Sequence, residues 1–132
     1  MKKLLTLVAA AETTVGITLL AVPSWVASLL LGSTLDTTGA ATVARVAGFA
    51  LLALGIACWW ARADTQSRAT GGIVVAMLVY NGGVCAVLVY ASLIGGLTGI
   101  GLWPTAILHA GLAAWCAASL GRAESRGSSG LR

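Results

Sequence analysis

The chain has 132 residues, of which 58% are hydrophobic and 9% are charged, whereas an ordinary soluble domain carries about 25% charged residues. Together with a mean hydropathy of +0.94, this composition excludes an ordinary soluble domain and indicates a single compact unit that folds in lipid. The formal charge of +4 does not point to a nucleic-acid partner, because no run or face of Lys and Arg residues is interleaved with aromatic side chains.

The first predicted element is a membrane-spanning helix over residues 4–22. Lys2 and Lys3 precede a short apolar stretch and three alanines, which imitates a secretory signal. Cleavable signals have about 7–15 apolar residues before the cleavage site, whereas the stretch here ends at Val8 and apolar sequence resumes at Val15. We therefore expect an uncleaved first span.

A short interfacial segment is predicted next, over residues 24–31. Pro23 suits the first turn of a new helix, and Gly32 suits its end. Trp25 would anchor this segment in the headgroup region at the outer membrane surface.

Three further segments are long enough to cross hydrocarbon: residues 40–61, 71–94 and 102–120. Each provides the roughly 20 mostly apolar residues that a transmembrane helix needs. The charged and Gly/Ser-containing residues 122–132 are predicted to form a flexible cytoplasmic tail. The predicted fold is therefore an all-α membrane protein, a four-transmembrane-helix bundle in one domain over residues 1–121.

The basic residues predict the orientation of this bundle. By the positive-inside rule, the side that carries them faces the cytoplasm. We expect both termini to be cytoplasmic and the protein to lie in the inner membrane of a bacterial cell, with membrane lipids as its immediate partners. Seven of the eight Lys and Arg residues fall on one side of the predicted spans: Lys2, Lys3, Arg62, Arg68, Arg122, Arg126 and Arg132.

Four polar residues within the spans form the candidate intramembrane site: Glu12, Tyr80, Asn81 and His109. At about 1.5 Å per helical residue, Glu12 lies about 13 Å from the basic surface, and Asn81 and His109 both lie about 20 Å from it. Polar groups at this depth are costly and are functional hypotheses by default. Two alternatives remain open: a small polar cavity that carries a proton or holds a cation, or a set of hydrogen bonds that pins the helices.

Arg45 is the one basic residue inside a predicted span, about 25 Å from the basic surface. An ion pair with Glu12 is not expected, because side chains lean toward the N-terminus of their own helix and these two lean apart. We predict that Arg45 extends to the outer interface, toward Asp36.

Small residues predict how the helices pack, because they allow close backbone approach in lipid. Ala9 and Gly16 mark a packing face of the first span, and Ala44, Gly48 and Gly55 mark one of the second. In the fourth span we expect a small face to point inward and a bulky face to contact lipid. The small face comprises Ala106, His109, Ala113, Cys116 and Ala117, and the bulky face comprises Leu108, Leu112 and Trp115.

No complete catalytic, cofactor or metal signature is present. Cys58, Cys85 and Cys116 form no CxxC pair, and they are expected to be free thiols. A single His and a single intramembrane Glu provide neither a ligand set nor an acid–base pair with a nucleophile. We expect no cofactor and no bound metal.

Part of the first span resembles one known family. Ala11, Glu12 and Gly16 resemble the first helix of the small multidrug resistance transporters, which have four spans and an intramembrane glutamate. That family has a Trp, Tyr and Gly motif in its third helix, which residues 71–94 do not contain, and its first loop is shorter. The resemblance implies a transporter with Glu12 in its site, but it covers a few residues and assigns no family.

Three functional hypotheses follow. The first is a structural or accessory subunit that acts through helix–helix contacts, in a homo-oligomer or a larger membrane complex. The alternative is a minimal transporter or permeation protein that uses the polar site formed by Glu12, Asn81 and His109. A second alternative is a membrane enzyme that acts on a lipid or quinone, with its headgroup near Trp59, Trp60 and Arg62.

Overall fold

The computed structural model describes residues 1–129, with side chains described up to residue 122. It confirms an all-helical chain, since no strand occurs in the described residues. Five helices follow one another: α1 (Lys2–Ala21), α2 (Pro23–Leu31), α3 (Thr38–Ala61), α4 (Arg68–Leu93) and α5 (Leu102–Ser129).

Three of these helices, α1, α3 and α4, are long and apolar enough to cross a membrane. Helix α5 does not belong to this group, because Trp103, Pro104 and His109 dilute its apolar residues. The all-helical prediction is thus confirmed, and three of the four expected spans are helices that could cross a membrane.

Helix α5 extends beyond the predicted span of residues 102–120. It continues to Ser129, and the flexibility of residues 122–132 stays a prediction. The residues that follow Leu120 include Arg122 and Ala123, and both residue types have high helix propensity, so the helix continues past the apolar segment. Residues 130–132 of the predicted tail lie outside the described residues.

Helices α1 and α3 pack backbone against backbone. A Cβ atom on Gly16 would lie 2.8 Å from the carbonyl oxygen of Gly48, and a Cβ atom on Gly48 would lie 3.0 Å from the carbonyl oxygen of Gly16. Farther along α3, Gly55 lies as closely against Thr13 and Ala9 of α1. Glycine is needed at these positions because any side chain would separate the two helices.

The main core lies at one end of the bundle, where α1 begins, α3 ends and α4 begins. We call this end, which carries Lys2, Lys3, Arg62 and Arg68, the basic end. Leu112 belongs to this core, so its predicted lipid-facing position is wrong: it packs inward with Cys116, one turn later on α5. The buried members are Leu4, Leu5, Val8 and Ala9 of α1, Cys58 and Ala61 of α3, Val74 and Met77 of α4, and Leu112 and Cys116 of α5.

A smaller core closes the opposite end of the bundle, where helix α2 meets α4 and α5. Leu88, Leu102 and Ala106 are its buried residues. The backbone N–H of Gly101 donates a hydrogen bond to the carbonyl oxygen of Leu29, at 2.8 Å. Gly99 lies directly against the Leu30 backbone, where a side chain has no room. The connection between α4 and α5 thereby holds α2 across the end of the bundle.

Candidate functional site

The structure brings the four polar residues of the candidate site together from three helices. Glu12 of α1 accepts a hydrogen bond from the Tyr80 hydroxyl of α4, at 3.2 Å. Asn81 of α4 and His109 of α5 are joined by a 2.7 Å hydrogen bond between Oδ1 and Nδ1. The Tyr80 and His109 rings meet edge to face, with their centroids 5.7 Å apart. These contacts make one continuous group, which we call the polar cluster.

The hydrogen bonds of Asn81 determine which nitrogen of His109 carries the proton. The Nδ2 group of Asn81 donates to the carbonyl oxygen of Met77, at 2.7 Å. Its Oδ1 atom is therefore the atom that faces His109, and Nδ1 of the neutral imidazole must be the donor. The other ring nitrogen, Nε2, is then a hydrogen-bond acceptor, and it has no partner among the described residues.

Helical spacing explains why these polar groups lie inside the bundle. Glu12 follows Leu5, Val8 and Ala9 on the buried face of α1, and Asn81 follows Val74 and Met77 on the buried face of α4. Glu12 is only 4% exposed and Asn81 is fully buried. Burying such groups is unfavourable unless they are hydrogen-bonded, which their contacts with Tyr80, Met77 and His109 provide.

A cavity of about 390 Å³ adjoins the polar cluster on the side where α1, α2 and α5 meet. We call it the lateral groove. Glu12, Tyr80 and His109 form part of its wall, whereas most of the remaining wall is apolar. Val15 and Leu108 on its rim are 44% and 54% exposed, so the groove opens to the surroundings of the bundle. The apolar wall includes Ala11, Val15, Leu19, Trp25, Val26, Leu29, Leu30, Leu51, Val84, Leu108 and Leu112.

This arrangement favours a particular ligand chemistry. The apolar wall suits a lipophilic body, and the Nε2 atom of His109 and the carboxyl group of Glu12 can both accept hydrogen bonds. Thr14, Thr18 and Thr105 also line the groove, but the hydroxyls of Thr14 and Thr18 already donate to their own helix backbone. A ligand would therefore find its polar partners chiefly at the polar cluster.

The predicted outer-interface charges lie apart from the polar cluster. Arg45 is exposed on α3, and Asp36, in the α2–α3 connection, accepts a hydrogen bond from the hydroxyl of Thr34. Within residues 1–122, no ion pair joins Arg45 to Asp36 or to Glu12. The extension of Arg45 toward the outer interface stays a prediction.

The aromatic and basic residues named for the enzyme hypothesis form a stack at the end of α3. The Arg62 guanidinium lies over the Trp59 ring, with its Cζ atom 3.3 Å from the ring centroid, and Trp60 is exposed beside it. A cation held over an indole face in this way is stabilised electrostatically. The stack lies at the basic end and is separate from the lateral groove.

A second cavity, of about 340 Å³, lies at the basic end and was not predicted from the sequence. We call it the basic-end pocket. Lys2 and Arg122 lie far apart in the sequence. Their charges were used only to predict how the protein is oriented in the membrane. Ser119 was also missed, because a lone serine near the end of an apolar span gives no distinctive pattern. The pocket is lined by Met1, Lys2, Thr65, Gln66, Trp115, Ser119 and Arg122.

Potential metal ligands are not clustered in the described residues. The residues that the structure describes contain no cluster of three or more His, Cys, Asp or Glu side chains placed to hold a metal ion. Cys58 and Cys116 are both buried as free thiols in the main core.

Comparisons with known proteins give no match: no family model, no curated protein and no solved structure is similar to this chain.

Proposed function

We propose that the chain is an integral membrane protein of four spans, α1, α3, α4 and α5, with both termini in the cytoplasm. The packing of α5 supports its inclusion, because Ala106 lies in the core that Leu88 of α4 forms, and Cys116 in the core that Val74 of α4 forms. Residues 102–120 of α5 would extend about 28 Å, close to the roughly 30 Å of bilayer hydrocarbon.

The charge distribution supports the direction of insertion. Lys2, Arg62, Arg68 and Arg122 all lie at or beyond the ends of the apolar segments at the basic end. The connections at the opposite end, residues 32–37 and 94–101, carry no Lys or Arg. Under the positive-inside rule the basic end faces the cytoplasm of a cell whose inner membrane holds the protein.

Within this frame, the protein binds a small lipophilic molecule in the lateral groove, as a transporter or permeation protein would. The single observation that carries this proposal is the placement of Glu12, Tyr80 and His109 in a mostly apolar wall that opens sideways. The volume of about 390 Å³ falls in the range of about 300–1,000 Å³ that is typical of small-molecule sites. A packed core that only pins helices has no need for such a space.

The bound molecule should carry a hydrogen-bond donor. With Nδ1 of His109 donating to Asn81, the free Nε2 atom is an acceptor, and Glu12 adds carboxyl oxygen acceptors. A hydroxyl or N–H group placed at this level would satisfy them, and an apolar chain attached to it would occupy the rest of the groove.

A matched pair of probes tests this proposal on the purified full chain. Para-octylphenol has a hydroxyl donor on an apolar body, and its methyl ether lacks only the donor. We expect native mass spectrometry to retain the phenol at one site per chain and to retain the ether at least fivefold more weakly.

Two variants locate the site. Val15→Trp narrows the groove and should reduce phenol binding about tenfold, whereas Val46→Trp, on an exposed face of α3 outside the groove, should leave it unchanged. Equal binding by both variants would contradict the proposal. If Glu12→Gln leaves the proton flux into proteoliposomes unchanged, Glu12 does not carry protons across the membrane. The function would then be restricted to binding without transport.

A second candidate is the accessory subunit, and one face of α4 favours it. A Cβ atom on Gly72 or Gly83 would meet no heavy atom within 4 Å, and Ala76 and Ala86 continue the same exposed face. Small residues on an exposed membrane helix permit close contact with another helix, and a second copy of the chain could provide it. Crosslinking in native membranes that yields only monomer would remove this support.

A further inference from the structure

We propose that the lateral groove recognises a second oxygen atom on its ligand, and that the ligand belongs to the alkyl hydroquinones, which carry two hydroxyls on opposite carbons of a benzene ring. This inference rests on the proposed binding function and adds the class of the bound molecule. The observation that carries it is the position of Thr105, which lines the groove one helical turn before His109.

Thr105 lies on the face of α5 that forms the groove wall. From the start of α5 onward, the residues that line the groove recur at intervals of three and four, which is the spacing of one helix face. Thr105 therefore projects on the same side as His109. It is partly exposed and belongs to neither of the two cores. These residues are Gly101, Thr105, Leu108, His109 and Leu112.

The hydroxyl of Thr105 is available to a ligand, unlike those of the two other threonines in the groove wall. The hydroxyls of Thr14 and Thr18 each donate to the backbone carbonyl oxygen four residues earlier, at 2.8 Å. The backbone N–H of Thr105 donates to the carbonyl oxygen of Gly101, but its hydroxyl makes no hydrogen bond with any group of residues 1–122. Thr105 thus keeps its hydroxyl proton for a bound molecule.

The distance between the two polar levels suits a benzene ring. Thr105 and His109 are four residues apart, which is about 6 Å along the helix axis. Both side chains lean toward the N-terminus of α5, so this separation is kept at their ends. One ligand hydroxyl would donate to Nε2 of His109, and the second oxygen would accept from Thr105. Oxygens on opposite carbons of a benzene ring span about this separation, and a rigid spacer loses less conformational entropy on binding than a flexible diol does.

The rest of the wall indicates a neutral ring with an apolar side chain. Within residues 1–122 no Lys or Arg lines the groove, so the charge of a phosphate group would lie there without compensation. Helix α2 lies across one end of the groove with Leu29 and Leu30. An alkyl chain on the ring would therefore leave through the lateral opening, where the exposed side chains of Val15 and Leu108 offer an apolar path into the surroundings.

The experiment uses the purified full chain and native mass spectrometry in detergent, under anaerobic conditions that keep the probe reduced. The two probes are octylhydroquinone and meta-octylphenol, which has the same ring and chain but lacks the hydroxyl next to the chain. We expect one octylhydroquinone per chain to be retained about fivefold more strongly than meta-octylphenol, as the net contribution of one hydrogen bond predicts.

Three variants test whether Thr105 provides that hydrogen bond. Thr105→Val removes the hydroxyl at nearly constant size and should abolish the fivefold preference without changing the retention of meta-octylphenol. Thr105→Ser keeps a hydroxyl and should keep the preference. Thr14→Val is the matched control, because it removes a hydroxyl from the same wall that already donates to Ala10, and it should also keep the preference.

Equal retention of the two probes, with meta-octylphenol still bound, would overturn this inference and leave the proposed function standing. A preference that survives in Thr105→Val, or that is lost equally in Thr14→Val, would overturn it in the same way. Retention of neither probe would contradict the proposed function itself, and the inference would fail with it.

Discussion

Asn81 is the residue on which the geometry of the polar cluster depends most. It is fully buried, it donates to the Met77 carbonyl oxygen, and it accepts from His109. Because both of its hydrogen bonds have a defined direction, it sets the tautomer of His109 and thereby the acceptor that faces the lateral groove. No other residue of the cluster joins the α4 backbone to a side chain of α5.

Replacing Asn81 should therefore affect stability as well as binding. Asn81→Ala leaves His109 Nδ1 without its acceptor and opens a small cavity, and interhelical hydrogen bonds in membranes contribute about 0.6–1.7 kcal/mol. We expect the free energy of unfolding in detergent to fall by about 1–2 kcal/mol. Gln66→Ala, which removes an exposed amide, is the control, and equal stability of both variants would contradict this account.

At the residue scale, the four polar residues of the candidate site could be named from the sequence, but the contacts among them could not. Counting along the helices put Asn81 and His109 at one depth, and the structure joins them directly. Glu12 was predicted to lie about one turn nearer the basic surface than Asn81 and His109. The long side chain of Tyr80 spans this difference in depth and reaches the Glu12 carboxyl group. The direction of each hydrogen bond and the exposed position of Nε2 could not be predicted, because they depend on side-chain rotations in three helices at once.

At the scale of the helices, α1 and α3 pack with their backbones in direct contact. Gly16, Gly48 and Gly55 were predicted to lie on packing faces, since only small residues allow two helix backbones to touch. That these faces pack against each other is seen only in the structure. Helix α5 was harder to predict. Its small residues indicated a uniform inward face, but Leu112 occupies an inward position beside Cys116 and fills the space between α1 and α4. The residue pattern of a single helix does not show how much space the neighbouring helices leave beside it.

Adding one methyl group to the α1–α3 contact should be destabilising. A Cβ atom on Gly48 would lie 3.0 Å from both the Gly16 carbonyl oxygen and the Leu20 side chain, and overpacking of this kind costs about 1–3 kcal/mol. We expect Gly48→Ala to lower the thermal midpoint measured in detergent. Gly83→Ala on α4 is the matched control, because its Cβ would meet nothing within 4 Å. A Gly48→Ala midpoint equal to that of Gly83→Ala would show that the two helices do not pack this closely.

At the scale of the whole molecule, the proposal depends on α5 crossing the bilayer together with α1, α3 and α4. Length and composition identify three helices that could cross a membrane, and the proposed fourth crossing rests on the packing of α5 along α4 and on the position of Arg122 at the basic end. If α5 lay on the membrane surface instead, His109 would leave the bilayer interior. The polar cluster and the lateral groove would then lose their shared wall.

Cysteine labelling in sealed vesicles tests this most directly. In a chain whose native cysteines are replaced by serine, single cysteines are introduced by Gln66→Cys, Thr98→Cys and Gly121→Cys, all at exposed positions in the two connections or near the basic end. A membrane-impermeant reagent should label positions 66 and 121 from the cytoplasmic side and position 98 from the opposite side. Labelling of positions 98 and 121 from the same side would contradict the four-span account and the mid-membrane site that depends on it.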